Sequence, residues 1–339
     1  MTPIHQMTYL QAVVIGLIQG ITELFPISSL GHTVLIPSWL GGSWAALVRE
    51  ESRPESPYLA FVVGLHLATA VVLLGVYGRT WIRVIRGFVT SITRREVRSA
   101  DQKLAWLIVV ATIPVGVAGL VLEHPFRVLF AKPLAAAIFL MINGGILLGG
   151  ELLRRRDLRR PAPAPADVPP RQEALVGSPG PVNVSGPIAE PDPGRERASD
   201  REPMLDEAAE QRLAGIGIRN ALWIGASQIL ALLAGISREG VTMVGGLTRG
   251  LNHEDAMRFS FLLSTPVILA AGLLKISDLT GSLGAGVRGQ IIAGSIAAAA
   301  TSLFAVLFLA RWFRTRTLVP FAVYCLLAGL ISVIRFGLF

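Results

Sequence analysis

Cysteine is almost absent from this chain: among 339 residues there is only Cys325. One thiol can build neither an internal disulfide framework nor a Cys-based zinc site, and its place in an apolar stretch marks a small buried side chain. Charge is also scarce, at 16% of residues against 52% hydrophobic ones, with a mean hydropathy of +0.57. That balance is too apolar for an ordinary soluble globular chain and argues against a soluble enzyme. No Lys or Arg precedes the apolar run from Tyr9, and the carboxylate of Glu23 falls near its end, so a cleavable signal peptide is not expected. A single basic face is missing as well. The net charge of +8 comes from Arg clusters at the ends of apolar segments, which is the pattern of membrane topology and not of a nucleic-acid partner.

What is present is a set of long apolar runs. Six stretches, 59–77, 104–122, 134–153, 259–275, 289–310 and 318–337, reach the roughly 17–25 residues needed to cross a hydrocarbon core of about 30 Å. Residues 9–40 and 216–248 are also apolar but are interrupted by Pro, Gly, Ser and charged residues, so neither reads as one clean span. Between the halves, residues 157–206 hold 11 of the 21 prolines and no aromatic residue. Such a segment buries too little apolar surface to offset its ordering entropy and is expected to be a disordered linker.

Cationic loops fix an expected orientation. Arg79, Arg83, Arg86, Arg94, Arg95, Arg98 and Lys103 follow the first span, Arg154 to Arg160 the third, and Arg311, Arg314 and Arg316 the fifth; all should face the cytoplasm. Residues 41–56 and 123–133 then face outward. Threading the six spans through these constraints leaves the two broken regions without a crossing, which makes each a re-entrant hairpin, one entering from either side. A self-comparison agrees: Gly16, Gln19, Ile27, Ser28 and Gly31 recur 209 positions later as Gly225, Gln228, Ile236, Ser237 and Gly240. The expected fold is therefore an all-α polytopic membrane protein of two inverted repeats, 1–153 and 216–339, joined by a cytoplasmic linker at 154–215. Each repeat is a hairpin followed by three spans. Inverted repeats with broken helices place functional groups where the hairpins meet, near the midplane.

The chemistry-bearing residues lie in those hairpins. Gln19 and Glu23 share one helix face, Pro26 ends that helix, and Ser28 or Ser29 can cap the next, with His32 close behind. The second hairpin offers Ser237, Arg238, Glu239, Gly240 and Thr242 around another turn and helix start. Free N–H groups at a helix start beside an Arg suit phosphate or carboxylate. A carboxylate such as Glu23 inside a membrane is costly and points to function. His66, within 59–77, reads as an interhelical hydrogen bond or a partner of the site.

The string from Glu23 to His32, Glu-Leu-Phe-Pro-Ile-Ser-Ser-Leu-Gly-His, together with Gly235 to Thr242, Gly-Ile-Ser-Arg-Glu-Gly-Val-Thr, resembles the two signature motifs of the BacA/UppP family. These are the undecaprenyl-diphosphate phosphatases of bacterial envelopes. The resemblance spans both halves and omits only the linker. It implies a multi-pass enzyme of the bacterial plasma membrane that hydrolyses undecaprenyl diphosphate to undecaprenyl phosphate and phosphate, recycling the lipid carrier of cell-wall synthesis. It matches Gln19, Glu23, Ser29, His32 and Arg238 to the family's site. Three residues of spacing just after a helix break can bring hydroxyl and imidazole together, which makes Ser29 the nucleophile with His32 as its base, the alternative being that Ser29 binds phosphate while metal-bound water attacks; Glu23 is the third catalytic group. Arg238, Ser28, Ser237 and Thr242 bind the diphosphate, and Glu23 with Gln19 holds a divalent cation, Mg²⁺ or Ca²⁺, that offsets its charge. Two positions of the second motif depart from the family: Ala234 replaces a Pro, and Glu239 replaces a Ser beside the Arg. Glu239 therefore points away from the phosphates, adds a metal ligand, or alters specificity. The alternative function is a polyprenyl-phosphate or anion transporter on the same architecture.

Overall fold

In the computed structural model residues 7–51, 56–130, 132–159, 208–276, 281 and 286–338 are described, and among them there are helices and no strands. The first hairpin region is two helices, α1 (Tyr9–Leu24) and α2 (Ser29–Leu40). Thr8 opens α1 with a reciprocal cap: its Oγ1 accepts from the Gln11 amide, and its own amide donates to Gln11 Oε1 at 2.9 Å. α1 stops at Leu24 because Phe25 is extended and Pro26 has no N–H to continue the ladder. α3 (Gly42–Glu51) follows, then α4 (Pro57–Val76), α5 (Gly78–Arg94), α6 (Ala100–Phe130) and α7 (Pro133–Arg159). After helical residues 208–214, here α8, come α9 (Ile218–Ser227), a 3₁₀ turn over Gln228–Leu232, and α10 (Arg238–Leu247). The chain closes with α11 (His253–Leu274), α12 (Arg288–Trp312) and α13 (Val319–Leu338).

Five helices, α6, α7, α11, α12 and α13, are long and apolar enough to cross a membrane, and they contain five of the six expected stretches. The sixth, 59–77, is α4, which turns by 85° into α5. The basic segment after it is therefore largely helix and not loop. On α5 the buried face is Thr80, Val84, Gly87 and Ser91, whereas Ile82, Ile85, Val89 and Ile92 are exposed, the pattern of an amphipathic helix. Two segments expected as outward loops are also helical in part, since α3 occupies 42–51 and α6 continues to Phe130. Of the stretch 157–206 only 157–159 fall among the described residues, as the end of α7, and the rest lies outside them; the far end of the linker, 208–214, is α8. Exposed side chains such as Leu120, Val121, Ile292 and Ile296 ring the long helices, as a lipid-facing surface requires.

Some of the helix pairings survive exchange of the two halves. α1 packs on α12 as α9 packs on α6, while α4 meets α11 and α7 meets α13. Small residues allow the first two pairings: a Cβ on Gly16 would strike the Gly294 carbonyl, and one on Gly225 the Ala111 carbonyl. This close approach buries both helix breaks inside the bundle. Phe25, the residue after α1, is fixed there by stacking on Phe308, with ring centroids 5.7 Å apart, and by an edge contact with Phe321.

Candidate active site

The break in the first hairpin gathers polar groups from three helices around one carboxylate. Glu23, on the last turn of α1, is buried. Its Oε2 accepts from Gln19 Nε2 at 2.9 Å and from the Ser29 hydroxyl at 2.5 Å. Gln19 reaches it because four residues bring two side chains onto one helix face, and Ser29 because it opens α2 directly across the break. His66 of α4 completes the cluster. Its Nδ1 donates to the Val62 carbonyl at 2.9 Å, which leaves Nε2 as the acceptor for Gln19 at 3.1 Å and 3.4 Å from Glu23 Oε2. Arg238 stands opposite, with an Nη 3.9 Å from Glu23 Oε1. That buried nitrogen has no hydrogen-bond partner among the described residues. A buried guanidinium nitrogen with donor capacity to spare facing a cluster of this kind suits an anion.

His32 is placed differently from the expectation. Its Nδ1 donates to the Ser28 carbonyl at 2.7 Å, and its Nε2 accepts from the Tyr324 hydroxyl at 2.8 Å, with the two rings nearly parallel. Both ring nitrogens are thus engaged, and the Ser29 hydroxyl points to Glu23 instead. One turn along α2 separates the two directions: Ser29 looks back to α1, His32 outward to α13. Ser28 caps α2 by accepting from the Gly31 amide at 3.2 Å and holds a positive φ of 69°, a conformation rare for a residue with a Cβ.

The second hairpin repeats the cap. Ser237 accepts from the Gly240 amide at 3.1 Å and donates to the Phe25 carbonyl across the junction at 3.3 Å. The hairpins touch tip to tip, since a Cβ on Gly31 would lie 3.0 Å from the Gly235 Cα. Gly235 itself is at φ 117°, hard against the α7 backbone at Ala136, a position only glycine fills. Thr242 spends its hydroxyl on the Arg238 carbonyl at 2.7 Å, one turn into α10. Glu239 turns away from Glu23 toward α11, where it accepts from Ser260 and, at 2.6 Å, from Ser264.

One residue joins the two tips. Asn143, fully buried in the middle of α7, donates to the Pro26 carbonyl at 3.0 Å and accepts from the Ser237 amide at 3.0 Å. It escapes a reading of the hairpins alone because its partners are 117 and 94 residues away; the available signal is a lone amide inside an apolar span. Tyr324 of α13 escapes similarly.

Among the described residues no three His, Cys, Asp or Glu side chains converge; a divalent cation held by the Glu23 carboxylate and the Gln19 amide would have to take its other oxygens from substrate phosphate and water. Glu239 is committed to Ser260 and Ser264 and contributes nothing to such a set.

One arginine, one carboxylate and a serine hydroxyl gathered at two helix starts within a membrane protein are groups of the kind that handle phosphate. The sequence model of the family described as bacitracin resistance protein BacA matches residues 12–179 and 195–331, and the chain belongs to that family. It is 53% identical over 341 residues to undecaprenyl-diphosphatase 2 of Frankia alni, covering 98% of this chain and 99% of that protein. The undecaprenyl-diphosphatase of Mycolicibacterium paratuberculosis is 51% identical over 332 residues, with 98% of each chain covered. That of Granulibacter bethesdensis is 37% identical over 332 residues, 96% of each.

Proposed function

We propose that this multi-pass membrane protein is an undecaprenyl-diphosphate phosphatase of the bacterial plasma membrane, releasing phosphate and leaving undecaprenyl phosphate for another round of cell-wall synthesis. The observation that carries the reading is the Ser29 hydroxyl donating to Glu23 Oε2 at 2.5 Å, with the unpaired Arg238 nitrogen across from it. Transport of an anion calls on Arg238 and the helix starts alone; a serine aimed at a buried carboxylate is equipment for hydrolysis.

Arg238 grips non-bridging oxygens of the terminal phosphate. Ser29 Oγ attacks that phosphorus while its proton passes to Glu23, and the P–O–P bond breaks with its bridging oxygen leaving on the lipid phosphate. That leaving group has a second pKa of about 6 and departs without a strong general acid. Glu23 passes that proton on to the departing lipid phosphate, then takes a proton from the water that attacks the phosphoserine and returns it to Ser29 Oγ as inorganic phosphate leaves. Gln19 holds the Glu23 carboxylate in position, and His66 orients the Gln19 amide. His32, bonded to the Ser28 carbonyl, is a positioning residue that keeps the tip of the hairpin in its strained form, and Ser28 and Ser237 act through their caps. Glu23 and Gln19 would hold a Mg²⁺ or Ca²⁺ ion. Bound there, it neutralises charge on the diphosphate.

The two halves are read as inverted repeats, supported by the 209-residue offset, the charge-derived topology and the exchange-symmetric helix pairing. The direct test of function is phosphate release from undecaprenyl diphosphate by purified protein in detergent, where no gradient or second compartment exists, with and without chelation of divalent cations. Release that depends on the cation supports the proposal; its absence at any cation concentration would overturn it.

A further inference from the structure

A groove of about 230 Å³ opens beside the site, between α2, α7 and α13. We infer that it is the slot for the first isoprene units of the substrate; this rests on the phosphatase reading. Its inner end is the His32–Tyr324 pair, one turn along α2 from Ser29. Its outer end is closed by Trp39, whose indole N–H donates to Ser332 at 3.1 Å. The seven residue steps from His32 to Trp39 span about 10 Å of helix. Leu35 and Leu140 form a buried apolar floor, and Ile331, 55% exposed, stands on the edge that faces lipid. No charged residue lines it.

A chain attached to a diphosphate anchored at Arg238 must leave the site along an apolar path, and this groove starts at His32, one helical turn from Ser29, with the exposed Ile331 on its lipid side. It is far shorter than an undecaprenyl chain. The slot therefore reads only the head-proximal end, and the remaining units lie in the surrounding lipid. A phospholipid with two acyl chains does not suit so narrow a trough. Affinity should accordingly rise with the first few isoprene units and then level off.

Ala328, half-buried on the α13 wall, is the place to block the groove, and Leu327, next to it but exposed to lipid and outside the lining, is the control. In Ala328→Trp the KM for farnesyl diphosphate should rise at least about tenfold at unchanged kcat, while that for dimethylallyl diphosphate, whose single unit stops near His32, changes less than about twofold. Leu327→Trp should behave as the unaltered chain. Equal effects on both substrates, or none, would overturn the inference. Should Ala328→Trp fail to fold, Ile331→Asp on the exposed edge gives the same comparison. A farnesyl diphosphate analogue with a benzophenone on its chain tests binding apart from hydrolysis. Cross-links on α13 around Ala328 support the slot, and cross-links confined to other helices remove it, whereas loss of phosphate release with these cross-links intact would count against the phosphatase reading alone.

Discussion

The two hairpins share a backbone plan and divide the chemistry. Each breaks a helix, restarts it from a serine cap, and presents that start to the other through a contact of glycine on glycine. The residues after the caps differ. In the first hairpin Ser29 faces Glu23, and Gln19 and His66 converge on the same carboxylate. In the second, Arg238 faces the junction and the neighbouring carboxylate, Glu239, is drawn back to α11 by two serines. On the proposed reading, approximate symmetry supplies two opposed helix starts for a phosphate, and its violation supplies one nucleophile and one cation. The comparison also shows why a carboxylate beside the arginine is tolerated: its charge is turned into a separate hydrogen-bonded pocket and does not face the substrate.

The sharpest way to break this division is at the two serines. Ser29→Ala should lower kcat for phosphate release by at least about a thousandfold with substrate binding largely kept, because the nucleophile is lost. Ser237→Ala, the second hairpin's cap, should cost about 1 kcal/mol of stability and leave most of the turnover. Substantial turnover in Ser29→Ala would assign the attack to water. The next largest effect is expected for Arg238→Lys, at least about tenfold in kcat/KM, since an ammonium cannot replace a guanidinium that grips two phosphate oxygens. Near-normal kinetics would take Arg238 out of the site.

Asn143→Ala removes the link between the tips, leaving the Pro26 carbonyl and the Ser237 amide buried and unpaired. Thermal unfolding in detergent should report a loss of about 1–3 kcal/mol per orphaned group, with a fall in kcat that Asn143→Gln, one methylene longer, does not recover. Equal stability to the unaltered chain would show that the tips hold each other. The smallest effect belongs to Glu239→Gln. An amide oxygen still accepts from one of Ser260 and Ser264, so activity should stay within about threefold and the cation titration of phosphate release should not move. A shifted cation titration would make Glu239 a ligand after all.

Much of this was legible without a fold. The helix break at Pro26, the restart at Ser28, the pairing of Gln19 with Glu23 and the capped start at Arg238 are local, set by proline's missing donor, serine caps and the four-residue helical repeat. The spacing of Ser29 and His32 was equally local and pointed to a pair the structure does not make, because Glu23 and Tyr324 approach from other helices and take one partner each. The helical course of residues 78–94 was hidden for a different reason: its Arg-rich face carries the topology signal, while its apolar stripe is too short to register as a span.

By itself the sequence determined a polytopic membrane protein with two broken hairpins and a list of polar residues that only function explains, since burying a carboxylate or an arginine in a bilayer is costly and chain-local rules locate the breaks. Which of those residues act together was decided by tertiary structure alone. Glu23 meets His66, Arg238 and Ser29 from three other helices, Asn143 ties both tips, and Glu239 is turned aside, because such contacts depend on how α1 and α12, and α7 and α13, pack against each other, and no local spacing encodes a distance between helices two hundred residues apart.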